Sequence, residues 1–237
     1  MTTQKNAAPL MIVVLIILIG AIFAVWKLSS SQPQSSDGTA SSTPTPTASS
    51  TPGSDQTISD GTLTFIQPSK NFGLAVDPTQ ILVKSYIPPC SQDFLYCFYY
   101  TGNEYASSTF ESAGVRVEKR PDLATERLCL NTPPTGFDAS MKPTSTKSEN
   151  NYSSSVFGNV GDAAAGHYSS GSLYRLFVRT GAKCYEFETR VGQSRYENYP
   201  AGTIKEFTTA DAAALQTKLK DLLSTVSLPS GEKVLFP

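Results

Sequence analysis

From Leu10 to Trp26 the chain runs seventeen residues without a charge, and twelve of them are Leu, Ile, Val or Phe. With Ala7, Ala8 and Pro9 ahead of it, the apolar stretch comes to about 20 residues, or roughly 30 Å of helix, enough to cross a bilayer core. At roughly −0.3 to −0.6 kcal/mol each on an insertion scale, the twelve favour lipid by on the order of −5 kcal/mol. Trp26 and Lys27 suit the interface, the ring at headgroup level and the ammonium reaching outward. The pattern predicts a short cytoplasmic tail over residues 1–9 and a transmembrane helix over 10–28. Lys5 and an unblocked α-amine outweigh Lys27 on the far side, and the next basic residue is Lys70. The bulk of the chain is therefore expected outside the cytoplasm, held to the cell membrane by one pass.

Two other readings of this span compete. A cleaved signal peptide would have a shorter apolar region. The pairs Ala21–Phe23 and Ile22–Ala24 suit cleavage poorly, and the better pair, Ser29 and Ser31, sits just behind Lys27. A pilin-like surface subunit is the second, because the hydropathy resembles a type IV pilin N-terminus. Those segments carry a glutamate just inside the apolar run, and this one has none. The first cysteine is Cys90, too distant for a lipoprotein anchor.

Residues 29–60 are almost entirely Ser, Thr, Pro, Gln and Gly. Such a stretch has no apolar surface to set against its conformational entropy, so it is expected to be a disordered linker. Thr43-Pro44-Thr45-Pro46-Thr47 within it favours an extended backbone. As a coil of ~30 residues it would hold the C-terminal domain roughly 30 Å from the bilayer.

Beyond it, residues 61–237 regain aromatics and aliphatics and are long enough for one domain with its own core. Apart from Lys5, Lys27, Asp37 and Asp55, the chain carries 17 basic and 18 acidic residues. That balance gives no electrostatic reason to expect nucleic acid as a partner. The cysteines are Cys90, Cys97, Cys129 and Cys184, an even count that suits disulfides outside the cytoplasm. Three pairings are open; a local Cys90–Cys97 staple and a long-range Cys129–Cys184 bond are favoured. A zinc site would want C-x-x-C pairs, which are absent, and no metal is expected.

Strands are expected over 62–66, 72–76, 81–86, 94–100 and 115–119, with Gly, Pro, Asn, Asp or Ser between them. Gly181-Ala182 suits a two-residue type II′ hairpin turn. In that register Val178 faces Tyr185, Leu176 faces Phe187 and Tyr174 faces Thr189, giving one apolar face. The opposite face then pairs Arg175 with Glu188 and Phe177 with Glu186, and Cys184 falls there as well. A Cys129–Cys184 bond would lay the segment 122–136 across that face, with a helical turn over 122–129 entered through Pro121.

Thr208 and Asp211 resemble a capping box, and Ala212, Leu215, Leu219, Leu222 and Val226 recur at helical spacing. A last short strand is expected over 226–228. The sum is an α+β domain: a mainly antiparallel sheet with a C-terminal amphipathic helix packed on it. Hairpins, then a late helix, then a short strand is an order that resembles PsbP-type extracytoplasmic domains. That resemblance implies an α/β/α sandwich and carries no function.

For chemistry the chain offers little. His167 is its only histidine, so any Ser-His mechanism must use it, and Gly166-His167-Tyr168-Ser169-Ser170-Gly171 is not a nucleophile elbow. Phosphate-cradling and dinucleotide motifs are missing, so no cofactor is expected. Glu186 and Glu188 share a strand face and form a candidate carboxylate pair. Tyr96, Tyr99, Tyr100 and Tyr105 form the candidate ligand-binding set, since exposed tyrosines stack on sugars or fill a partner pocket; alternate aromatics of a strand also fill cores. Asn151-Tyr152-Ser153 matches a glycosylation sequon. The expectation is a membrane-anchored, non-enzymatic protein presenting a disulfide-stapled domain for binding or scaffolding at the cell envelope, with an envelope protein or glycan as partner. The rivals are an envelope hydrolase using His167 or a carboxylate pair, and a pilin-like subunit.

Overall fold

Period-two alternation of apolar and polar residues builds most of the structure, a computed structural model that describes residues 55–68, 70–75, 94–158 and 160–237. The apolar span Leu10–Trp26, most of the linker, the strand expected over 81–86 and Cys90 lie outside these residues. Among the described residues no helix is long and apolar enough to cross a membrane.

The elements in chain order are β1 (Gln56–Ser59), β2 (Thr64–Gln67), β3 (Phe72–Ala75), β4 (Phe94–Tyr100), β5 (Phe110–Lys119) and α1 (Glu126–Asn131). Then come β6 (Ser145–Ser148), β7 (Tyr152–Gly158), β8 (Asp162–Ala164), β9 (His167–Val178), β10 (Lys183–Ser194) and α2 (Thr209–Leu223). Eight strands form one antiparallel sheet in the order β3-β4-β5-β10-β9-β7-β6, with β8 beside the first residues of β9. β1 and β2 make a separate hairpin. A mainly antiparallel sheet with a C-terminal helix on it is thus the fold. Two expectations at its ends need correcting. β1 takes residues from the expected linker, because Ile58 has a core to enter and is 4% exposed. The last expected strand is reduced to isolated bridges of Ser227 with Thr64 and Lys233.

One face of the sheet carries Phe98, Val115, Val117, Leu176, Tyr185 and Phe187, all buried, and α2 covers it with Leu215, Leu219 and Leu222. The helix starts where the capping box predicts. Thr208 Oγ1 accepts from the Asp211 N–H, and the Asp211 carboxylate accepts from the Thr208 N–H. The opposite face carries Phe177 and Cys184, against which α1 packs Cys129 and Leu130. Thr125 caps α1, and the Cys129–Cys184 disulfide fastens it to β10. Cys97 is also disulfide-bonded.

The β9–β10 hairpin corrects the predicted register. Val178 pairs with Lys183, Leu176 with Tyr185 and Arg175 with Glu186. The connection is a four-residue loop, 179–182, with Gly181 (φ 79°) and Ala182 (φ 49°) both left-handed. Arg179 closes it, its carbonyl accepting from the Ala182 N–H while its own N–H reaches Asn151 O. The register has slipped by two residues, and a slip of two leaves every side chain on its predicted face. The partners change, and the site depends on which partners meet.

Candidate functional site

The face under α1 continues into a charged zone. Arg116 and Glu118 project from β5, Glu186, Glu188 and Arg190 from β10, and Arg175 from β9, all at alternate positions on one side of adjacent strands. Arg190 stands directly between Gly114 and Gly171 in the neighbouring strands. At Gly171 an added Cβ would meet the Thr189 carbonyl at 1.9 Å, and at Gly114 it would meet the Phe98 carbonyl at 2.5 Å. These two positions therefore admit no side chain, and none flanks the guanidinium in its row.

The charges pair in two groups. Glu188 receives Arg116 on Oε2 and Arg190 Nε on Oε1 at 2.5 Å. Arg190 goes on to donate to Ser169 Oγ at 3.0 Å. Glu186 Oε2 receives Arg120 Nη1 at 2.8 Å and lies 2.5 Å from Arg175 Nη2. Arg120 also grips Asp122 with both Nε and Nη2. Arg175 has no solvent exposure, and its Nη1 donates to the Cys129 carbonyl at 3.4 Å, joining the cluster to α1. Burial is felt throughout. Arg116 is pushed down to about 10, first by desolvation and then by the nearby Arg190 charge. Arg175 moves down for the same first reason, against the pull of Glu186.

These groups floor a cleft of about 460 Å³, walled on one side by Phe94 and on the other by Pro134, Thr135 and Phe137. The Arg116 guanidinium lies over the Phe94 ring, 4.6 Å from its centroid. Glu118 also faces the cleft. It sits opposite Glu186 on β10 and Phe94 on β4. Among the described residues its carboxylate makes no ion pair or hydrogen bond. Burial first, then Glu186, pushes it above the usual carboxylate range.

The carboxylate pair expected from the sequence does lie here, with different partners. Arg175 faces Glu186, not Glu188, and each carboxylate is held between two guanidinium groups. A glycosidase acid must carry a proton to its leaving group. Glu186 Oε2 and both Glu188 oxygens are instead committed to arginines.

The tyrosines are placed elsewhere. Tyr96, Tyr100 and Tyr105 are 4%, 8% and 8% exposed. Tyr96 meets Phe65 edge-on at 5.2 Å, and Tyr100 and Tyr105 join Phe72, Phe110 and Phe207 in an aromatic cluster under α2. Tyr99 points to the other face, where its ring fills the place a Cβ of Gly73 would occupy. The four do not form one surface.

His167, at the start of β9, lines a second depression of about 680 Å³ with Arg195, Glu197 and Asn198. The fold brings it to two residues that no sequence pattern joins to it. Its Nδ1 is 2.5 Å from Glu111 Oε1, and Ser194 Oγ donates to that same oxygen. A serine, a histidine and an acid thus meet, in an order that defeats nucleophilic catalysis. A triad needs the imidazole between hydroxyl and carboxylate. Here the carboxylate and the hydroxyl meet the same ring nitrogen, Nδ1, at 2.5 and 3.5 Å, the serine proton is committed to the carboxylate, and Ser194 is 2% exposed. Tyr199 OH donates to Ser194 Oγ as well, so the group reads as a knot joining β5, β9 and β10.

Neither a protein-family model nor a curated protein matches the chain.

Proposed function

We propose that this chain is a single-pass membrane-anchored protein whose disulfide-bonded domain lies outside the cytoplasm and binds a small ligand in the cleft between Phe94 and Phe137. The observation that carries the reading is the cleft itself. Its charges, Glu118 apart, are held in ion pairs beneath aromatic walls, and among the described residues lining it no nucleophile stands beside a base. Concave sites with apolar walls and a few placed polar groups are where proteins hold small ligands. The apolar span Leu10–Trp26 and the Ser/Thr/Pro-rich stretch support anchoring and display. The Cys129–Cys184 bond supports an oxidising compartment.

Display is tested on intact cells producing the full chain with a C-terminal tag. Added protease is expected to remove the tag, and the thiols are expected to resist alkylation until reduced. A protected tag with four freely alkylated cysteines overturns the location. Binding is tested by thermal denaturation of the detergent-solubilised full chain with and without a deproteinised envelope extract. A bound ligand raises Tm by mass action. The expected rise is lost in Thr135→Trp, which fills the cleft wall; no rise in the parent protein overturns the binding role.

A further inference from the structure

We propose that the cleft selects a small primary amine, its ammonium taken by Glu118 and Glu186 and its apolar body by Phe137 and Leu173. The inference rests on the cleft being a ligand site and adds the chemistry of what enters it.

Each arginine charge in the cleft already faces a carboxylate, although Arg116 Nε and Arg175 Nε make no hydrogen bond, whereas one carboxylate has no cation of its own. All four arginines of the zone already serve protein acceptors: Arg116 and Arg190 serve Glu188, Arg175 serves Glu186, and Arg120 serves both Glu186 and Asp122. An anionic ligand would have to compete with a carboxylate already seated on each guanidinium, and its charge would add to those of Glu118, Glu186 and Glu188 in the same cleft. The spare capacity is of the other kind. Glu118 has no hydrogen-bonded or ion-paired partner among the described residues, and Glu186 uses only Oε2, leaving Oε1 open. The two residues face each other across β5 and β10, where directly opposed side chains start about 5 Å apart. An ammonium between them has three N–H donors to share. It would also offset the like-charge contact with Glu186 that, after burial, pushes the Glu118 carboxyl upward.

The walls set the rest of the ligand. Phe137 and Leu173 belong to one small apolar cluster with Phe157 and Met141, and both line the cleft. Phe94 flanks Glu118 but already carries the Arg116 guanidinium on its ring. An apolar body therefore leans toward Phe137. A few hundred Å³ suits a small molecule.

The probe is phenethylammonium, with 2-phenylethanol and 3-phenylpropanoate as neutral and anionic comparators. Binding is read from amide NMR shifts of the isotope-labelled full chain in detergent micelles. The expected result is that phenethylammonium shifts the amides of Glu118, Glu186 and Phe137, with both comparators at least tenfold weaker. Glu118→Gln should weaken the amine at least tenfold with Tm unchanged or raised, and Glu118→Asp should recover part of the loss. Equal or tighter binding of 3-phenylpropanoate at the same amides overturns the amine assignment and leaves the cleft a binding site. So does an amine affinity that Glu118→Gln does not change. Shifts from none of the three probes at the cleft overturn both readings.

Discussion

Asp60 shows how much one short side chain can hold. It closes the β1–β2 turn by accepting from the N–H groups of Thr62 and Leu63 at 2.9 and 2.7 Å, and it reaches the main sheet through Lys119 Nζ at 2.9 Å and Tyr185 OH at 3.3 Å. Burial opposes its charge, yet these donors win and keep its carboxyl below the ordinary range. A depressed carboxylate adds stability that is present above about pH 4 and is lost as pH falls through the lowered value. Asp60→Asn is expected to lower stability at pH 7 by about 1–3 kcal/mol. It should also flatten the acid limb of a denaturation series run from pH 7 to 2. Arg175 is the opposite case, a cation with no solvent at all. Arg175→Ala removes one of the two guanidinium groups holding Glu186, and urea denaturation is expected to show a loss of about 3 kcal/mol. Arg175→Met, which keeps the volume, should recover much of it. None of these partnerships is legible locally. Arg116 and Glu118, or Glu186 and Glu188, read in sequence as the solvated side of an alternating strand, and only the chain laid over that side makes them a buried network.

Elements with a strong local code were legible. Strand β4 runs over the residues expected of it, α2 begins at its predicted capping box, and the Cys129–Cys184 bond is the long-range pairing favoured among the three open ones. The β9–β10 register was not, because Gly181-Ala182 satisfies both a two-residue turn and the last half of a four-residue one. Nor was the knot of Glu111, His167 and Ser194, whose members come from three strands with no pattern linking them. The aromatic run of β4 was ambiguous by nature: Tyr96, Phe98 and Tyr100 fill a core that a sequence cannot distinguish from a stacking surface. Two element-scale outcomes are measurable. Thr208→Ala should cost about 1 kcal/mol of stability through loss of the α2 cap. Cys129→Ser with Cys184→Ser opens a loop with a sequence separation of 55. Loop entropy sets the loss at about 4 kcal/mol, and α1 should become the first part of the fold to exchange its amide hydrogens.

For the whole molecule, the two faces of one sheet do different work. The α2 face is apolar and supplies the stability of burial. The α1 face holds the charges, the cleft and the His167 knot, and is the more sensitive to solvent and salt. Substitutions that weaken the two faces should therefore separate in kind. Leu219→Ala, at a fully buried position, is expected to cost about 2–5 kcal/mol and leave amine binding intact. Glu118→Gln should do the reverse, which denaturation and the NMR titration together would show.

The hairpin of β1 and β2 has a mechanical consequence. Gln56, where the described chain begins its first strand, pairs with Gln67 at the open end of that hairpin. A pull from the N-terminal side therefore opens its rungs one after another and never loads them together. The peeling halts at Asp60, which is moored to Lys119 and Tyr185, after the four residues of β1 have yielded about 14 Å of slack. Tension from that side would thus be absorbed by a short sacrificial strand while the eight-stranded sheet stays whole.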